Sequence, residues 1–144
     1  MNFIRGVNMT YTYKDKYLQW LSFADEDTKS ELESITDDKE IEDRFYKDLA
    51  FGTGGLRGIM GAGSNRMNRY TVGKATLGLA RYLKSKNGGE ISVAIAYDTR
   101  NNSKYFAKTA AGVFASQGIK VNIYEMIVPV PVLSFTTHYL GCTA

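Results

Sequence analysis

The sequence predicts an α/β fold, a mainly parallel sheet flanked by helices and preceded by a helical N-terminal arm. Three observations carry this expectation. From Phe51 onward, strand-like and helix-like segments alternate. Ile91 to Tyr97 is a short run apolar on both faces, as in a central strand covered by helices on each side. Tyr11 to Asp48, by contrast, is charged and rich in helix formers. The division expected is an arm over 1–50 and an α/β domain over 51–144.

Within the arm, Tyr13, Tyr17, Trp20, Leu21 and Ala24 fall on one helical face. A second helix is expected from Ile41 to Leu49, where Ile41, Phe45 and Leu49 recur every four residues. The acidic stretch Asp25 to Asp38 between them reads as a solvated helix or connection. After the arm, Thr71 is expected to cap a helix with Val72, Ala75, Leu79, Tyr82 and Leu83 as its inner stripe, closed by Gly88 and Gly89. The strand Ile91–Tyr97 follows. Ser103 is expected to cap the next helix, with Phe106, Ala110, Val113, Phe114 and Gln117 in line and Gly118 as its stop. Ile119, Val121 and Ile123 alternate with Lys120, Asn122 and Tyr124, a strand with one more polar face. Pro131 suits the first turn of a short helix through Tyr139, ended by Gly141. Strands joined by helices of this length require crossover connections and hence a parallel arrangement.

Composition excludes several classes. Hydrophobic residues at 44% and charged residues at 23% are those of a chain that folds around a core, not of a disordered or fibrous one. A formal charge of +3, scattered along the sequence, gives no basic groove for nucleic acid, and the tyrosines form no basic stacking array. Cys142 is the single cysteine and has no partner for an internal disulfide; no cysteine and histidine cluster has metal-ligand spacing, so no metal site is expected. No apolar run has signal-peptide or membrane-span length. A soluble, cytoplasmic protein with neither nucleic acid nor membrane as partner is expected.

The segment that carries chemistry is Phe51-Gly52-Thr53-Gly54-Gly55-Leu56-Arg57-Gly58. Its four glycines let the backbone turn tightly and bring N–H groups, the Thr53 hydroxyl and the Arg57 guanidinium to one small anion, and a phosphate fits. A hydrogen bond to a charged group contributes roughly 1.5–3 kcal/mol net, enough for Arg57 to hold what glycines alone would not. A glycine-rich turn beside a surface arginine is the plainer alternative. Nucleotide signatures fail: there is no G-x-x-x-x-G-K-(S/T), and a G-x-G-x-x-G register from Gly52 meets Arg57 at its third glycine.

Phe51 to Gly58 resembles the F-G-T-x-G-(L/I)-R-G segment of the α-D-phosphohexomutases. Asn65-Arg66-Met67-Asn68 with Thr71-Val72 is similar to the N-R-M-N-x-x-T-V signature of one branch, which holds bacterial phosphoglucomutases and phosphopentomutase-like enzymes. Asp98-Thr99-Arg100 with Ser103 resembles the D-(S/T)-R-x-x-S turn, and Pro129 to Phe135 the P-T-P-x-L-x-F segment. Val130 departs from the usual threonine, and Tyr97 from an arginine some members carry before the aspartate.

The resemblance implies the first domain of a four-domain phosphoglucomutase or phosphomannomutase, an isomerase acting as an intramolecular phosphotransferase, with phosphopentomutase as the nearest alternative. A phosphoserine would exchange its phosphoryl group with a hexose phosphate. That serine belongs to an A-S-H-N-P loop expected just after Ala144, so no catalytic nucleophile is expected in this chain. Mg2+ and a hexose 1,6-bisphosphate activator would serve the full-length enzyme, neither bound by this chain alone, and its partners would be the hexose phosphate and the remaining domains of the same polypeptide. Arg57 would lie beside the reacting phosphate, with Thr53 and Gly54 shaping the loop. Arg100 would either support the same region or serve as the structural partner of an aspartate such as Asp98. A free-standing phosphate-binding domain is the rival from another class. His138 is expected to pack or face solvent away from any cysteine, Cys142 to be a buried inert thiol and Lys74 to be solvated.

Overall fold

The computed structural model describes residues 12–52 and 55–144. The chain forms two compact units, 1–67 and 68–144.

In the first unit, α1 (Tyr13–Phe23) starts at Thr12 in a reciprocal cap. The Asp15 N–H donates to the Thr12 hydroxyl at 3.2 Å, and the Thr12 N–H donates to the Asp15 carboxylate at 2.9 Å. The acidic stretch is a helix, α2 (Glu26–Glu33), capped by Asp25. The next helix, α3, runs Asp38–Phe45 rather than from Ile41 to Leu49, because the Asp37 carboxylate accepts the Lys39 N–H and starts it three residues early. The three helices close over Trp20, Ala24, Leu32 and Phe45. Phe45 is fully buried, with the rings of Tyr17 and Trp20 edge-on to it at 5.8 and 5.7 Å. Two short strands follow, β1 (Phe51–Gly52) and β2 (Gly55–Leu56), paired antiparallel.

In the second unit the elements are α4 (Arg69–Lys86), β3 (Ser92–Ile95), α5 (Ser103–Ser116), β4 (Lys120–Ile123) and α6 (Val130–Tyr139). β3 and β4 pair in parallel with Val93 opposite Val121. On the other edge of β3, the Thr143 N–H donates to the Ser92 carbonyl at 2.7 Å and the Ala94 N–H to the Ala144 carbonyl at 2.9 Å. β3 therefore has hydrogen-bonding neighbours on both edges. The core comprises Ala80, Leu83, Ile91, Val93, Phe114 and Ile119, with Ile95 and Val121 against it.

Several local expectations are corrected here. α4 begins at Arg69, capped by Asn68 and not by Thr71. The Asn68 side chain accepts the N–H groups of Tyr70 and Thr71, both at 3.0 Å, and the Thr71 hydroxyl oxygen in return accepts the Asn68 N–H. Its inner face is Thr71, Thr76, Ala80 and Leu83, while Leu79 and Tyr82 are exposed. Gly73 faces α5: a Cβ there would lie at ordinary contact distance, 3.8 Å, from Val113. α4 ends on Asn87, whose side chain donates to the Leu83 carbonyl, and not on Gly88. Asn102, in the left-handed region (φ 62°), occupies the N-cap position of α5 without a side-chain capping bond, and Ser103 is the helix's first residue. The stops at Gly118 and Gly141 hold: both have positive φ, and each is followed by a residue whose N–H reaches back to the fifth carbonyl before it, Ile119 to Phe114 and Cys142 to Thr137.

The chain is therefore mixed α/β. Its sheets are small, one antiparallel hairpin and one parallel pair, so the described strands do not amount to a parallel-dominated sheet.

Candidate functional site

The glycine-rich segment forms a hairpin in which Phe51 pairs with Leu56 and Gly52 with Gly55. Gly55 has φ +93°, a conformation that favours glycine. Thr53 and Gly54 lie outside the described residues.

Arg57 leaves β2 exposed to solvent and lines a cleft of about 300 Å3 within the first unit, shared with Asp43, Lys47, Leu49, Gly58, Ile59, Asn65 and Arg66. The walls are held by close contacts. A Cβ on Gly58 would fall 2.7 Å from a methyl of Leu49, so a larger residue there would require the Leu49 side chain to shift. The Leu49 N–H donates to the Ser64 carbonyl at 2.8 Å, and the Ser64 hydroxyl donates to the Lys47 carbonyl at 2.8 Å.

Three cations, Lys47, Arg57 and Arg66, face this cleft against one carboxylate, Asp43. They are not equivalent. Arg66 is buried, and its guanidinium donates to the Asp43 carboxylate at 2.5 Å and to the Asp43 carbonyl at 3.4 Å. Lys47 is exposed, its ammonium 4.9 Å from the Tyr46 ring. A small anion entering the cleft meets Arg57 and Lys47 with their charge turned to solvent, whereas that of Arg66 is already engaged.

Arg100 lies in the second unit, in the turn after β3. Its Nε is 3.0 Å from the Asp98 carboxylate, and its backbone N–H donates to the same group at 3.1 Å. The Arg100 backbone bond first, and the Ser103 hydroxyl next, hold the Asp98 carboxyl below the usual carboxylate range. Arg100 thus has the aspartate partner foreseen for it, and it lines a cleft of about 770 Å3 with Lys104, Tyr105, Lys108 and Glu125.

His138 faces solvent, one of the two roles expected of it, while Cys142 departs from expectation in not being fully buried. His138 and Cys142 line one depression at the end of α6, because four residues of helix and turn bring them together, and Cys142 is half-buried with its sulfur 3.5 Å from the Asn122 amide nitrogen. Among the described residues, no group of three His, Cys, Asp or Glu side chains is placed to hold a metal ion, and no helix is long and apolar enough to cross a membrane.

Sequence reasoning missed the polar framework under the cleft. Arg44, on α3, donates to Glu31 of α2 at 2.6 Å, to Glu40 at 2.7 Å and to the Ala62 carbonyl at 3.0 Å, while Glu31 also accepts the Ala62 N–H at 3.0 Å. Only the i,i+4 spacing of Glu40 and Arg44 was visible in advance.

Comparison with known proteins adds the following. Residues 48–144 match the family described as phosphoglucomutase/phosphomannomutase, alpha/beta/alpha domain I. A phosphoglucomutase of Staphylococcus haemolyticus is 37% identical over 125 residues, covering 87% of this chain and 23% of that protein. One from Staphylococcus epidermidis has the same identity and coverage, and one from Staphylococcus aureus is 36% identical over 130 residues, covering 90% of this chain and 23% of its own length. The chain thus spans about a quarter of the curated relatives it matches. No solved structure matches it. With the signature hairpin, the three following motifs and the family match falling on the same residues, the chain belongs to the phosphoglucomutase/phosphomannomutase family as its domain I.

Proposed function

We propose that this chain is the first domain of a phosphohexomutase and supplies part of the grip on the transferring phosphoryl group. The observation that carries the proposal is Arg57, exposed beside a glycine-rich hairpin on a cleft with two further cations, in a chain of this family. In the reaction proposed, a phosphoserine gives its phosphoryl group to the free hydroxyl of a hexose monophosphate, forming a bisphosphate, and regains a phosphoryl group from the sugar's other oxygen. Charge on the moving group spreads over its equatorial oxygens, and Arg57 stabilises it by donating two parallel N–H bonds.

On this reading the serine, the sugar contacts and the wider parallel sheet come from regions of the mutase for which this chain, at 23% of its relatives' length, has no counterpart. Mg2+ would neutralise phosphate charge when bound there. By the family resemblance, Thr53 and Gly54 would contribute to the anion's seat. Arg100, through Asp98, braces the turn after β3.

The test is replacement of Arg57 in a full-length mutase carrying this domain. Arg57→Ala should lower kcat about 100-fold or more, the usual effect of removing one group that stabilises transition-state charge. Arg57→Lys should not restore it, since an ammonium lacks the planar fork. An alanine enzyme within threefold of wild type in kcat/KM would show that the hairpin is only a turn.

A further inference from the structure

Arg66 faces the same cleft as Arg57, yet its surroundings assign it a different task. Its side chain is 8% exposed. It donates to the Asp43 carboxylate and carbonyl and to the Asn65 carbonyl at 3.2 Å. Asn65 completes the arrangement: its side chain donates to the Asp43 carbonyl at 2.9 Å and its backbone N–H to the Arg44 carbonyl at 2.9 Å. Asp43 and Arg44 carry carbonyls of the last turn of α3, which a helix leaves without intrahelical donors, and a cation beside that end is favoured by the helix dipole. Asn65 and Arg66 therefore cap α3 from a loop about twenty residues away. That loop also bonds Lys47 and Leu49, the residues that lead into the hairpin.

We infer that Arg66 and Asp43 are positioning residues for Arg57: they clamp the cleft floor to α3, and neither binds the substrate phosphate. The inference rests on the phosphate-site reading above. A hairpin of two-residue strands has little rigidity of its own, so the direction of Arg57 depends on what holds the segments before and after it.

The test is a set of double-mutant cycles in the full-length mutase, with kcat and KM measured separately. Arg66→Gln and Asp43→Asn should each lower kcat at least tenfold with KM for the hexose phosphate changed less than threefold. Combining the two should cost no more than either alone, and in an Arg57→Ala background Arg66→Gln should lower kcat by less than twofold, because it acts through Arg57. Effects that multiply with Arg57→Ala would overturn the inference, since Arg66 would then be acting independently of Arg57. Wild-type kcat in Asp43→Asn beside a damaged Arg66→Gln would overturn it equally. If Arg66→Gln does not fold, Asp43→Asn crossed with Arg57→Ala decides by the same criterion. An Arg57→Ala enzyme with wild-type kcat would overturn the phosphate-site reading and this inference with it, whereas a damaged Arg57→Ala with multiplying effects removes this inference alone.

Discussion

Replacing Arg44 with methionine keeps most of the aliphatic stem and removes every hydrogen bond of the guanidinium. The Arg44 side chain is 13% exposed and Glu31 is 42% exposed, so the pair is neither a free surface contact nor fully desolvated. Fully buried pairs cost about 3–5 kcal/mol when one partner is lost and exposed pairs under about 1 kcal/mol. Glu31 regains water when Arg44 is removed, Glu40 loses a helix pair of a few tenths of a kcal/mol, and the buried Ala62 carbonyl loses a donor worth about 1 kcal/mol. Arg44→Met should therefore cost about 2–3 kcal/mol. Trp20, the single tryptophan, packs on Phe45 in the same unit, so urea unfolding followed by its fluorescence reads this loss directly. The pH dependence adds a second criterion. Burial pushes the Glu31 carboxyl up, but the Arg44 and Ala62 hydrogen bonds outweigh it and hold the group below its ordinary value. A depressed carboxylate contributes stability that is present above its unfolded pKa of about 4.3 and lost as pH falls through the lower folded value. The gap between wild type and Arg44→Met should be constant from pH 7 to about 5 and shrink below about 4. A cost under about 0.5 kcal/mol, outside the range argued for a half-buried pair, or a gap unchanged down to pH 3, would refute the reasoning.

Three further outcomes are expected. Gly63→Ala should destabilise the first unit by about 2 kcal/mol or more, because φ is +128° and the new Cβ would sit 2.8 Å from the Arg44 carbonyl oxygen, whereas Gly88→Ala, with open space around it, should stay within about 0.5 kcal/mol; equal effects in Trp20-monitored and circular dichroism unfolding would refute this. These 144 residues alone should not convert glucose 1-phosphate with Mg2+ and the bisphosphate present, and turnover comparable to a staphylococcal phosphoglucomutase assayed beside them would place the nucleophile within them. The isolated polypeptide should self-associate with rising concentration in sedimentation velocity, since α6 carries no Asp, Glu, Lys or Arg and exposes Val130, Phe135 and Tyr139; a strict monomer at high concentration would show this face to be stable in water.

Much of the second unit was legible because its signals are local. Gly118 and Gly141 stop their helices through bonds spanning six residues, and the run Ile91 to Tyr97 announces a covered strand by composition alone. α4 was misread where a local rule had two candidates. Thr71 and Asn68 are both good caps, and Asn68 prevails because its side chain reaches two N–H groups while Thr71 serves as the returning partner. Its inner stripe was expected at Val72, Ala75, Leu79, Tyr82 and Leu83; Leu83 is buried as expected, but Thr71, Thr76 and Ala80 complete the buried face while Leu79 and Tyr82 are exposed. Hydrophobic periodicity ranks residues by apolarity and cannot register the threonines of that face.

The first unit was less legible for a different reason. Glu31, Arg44 and Ala62 are separated by 13 and 18 residues, and no spacing rule links an acidic helix, an arginine and a loop alanine. The arm and the glycine-rich loop therefore looked like neighbours in sequence with separate tasks. Bonds tie the arm to the segment just after that loop: α2 reaches Ala62 through Glu31, α3 reaches Ala62 and Asn65 through Arg44 and Asp43, and Leu49 and Gly58 flank the hairpin on either side. Glycine gives the hairpin its turn but no stiffness, since a residue without a side chain has nothing to pack. Directional hold on Arg57 must then come from side chains outside the motif, and in this unit those are the residues of α2, α3 and the Asn65-Arg66 pair. The family signature around Asn65 was read as a label. It has a physical function, closing the carbonyl end of α3 under the cleft that Arg57 lines.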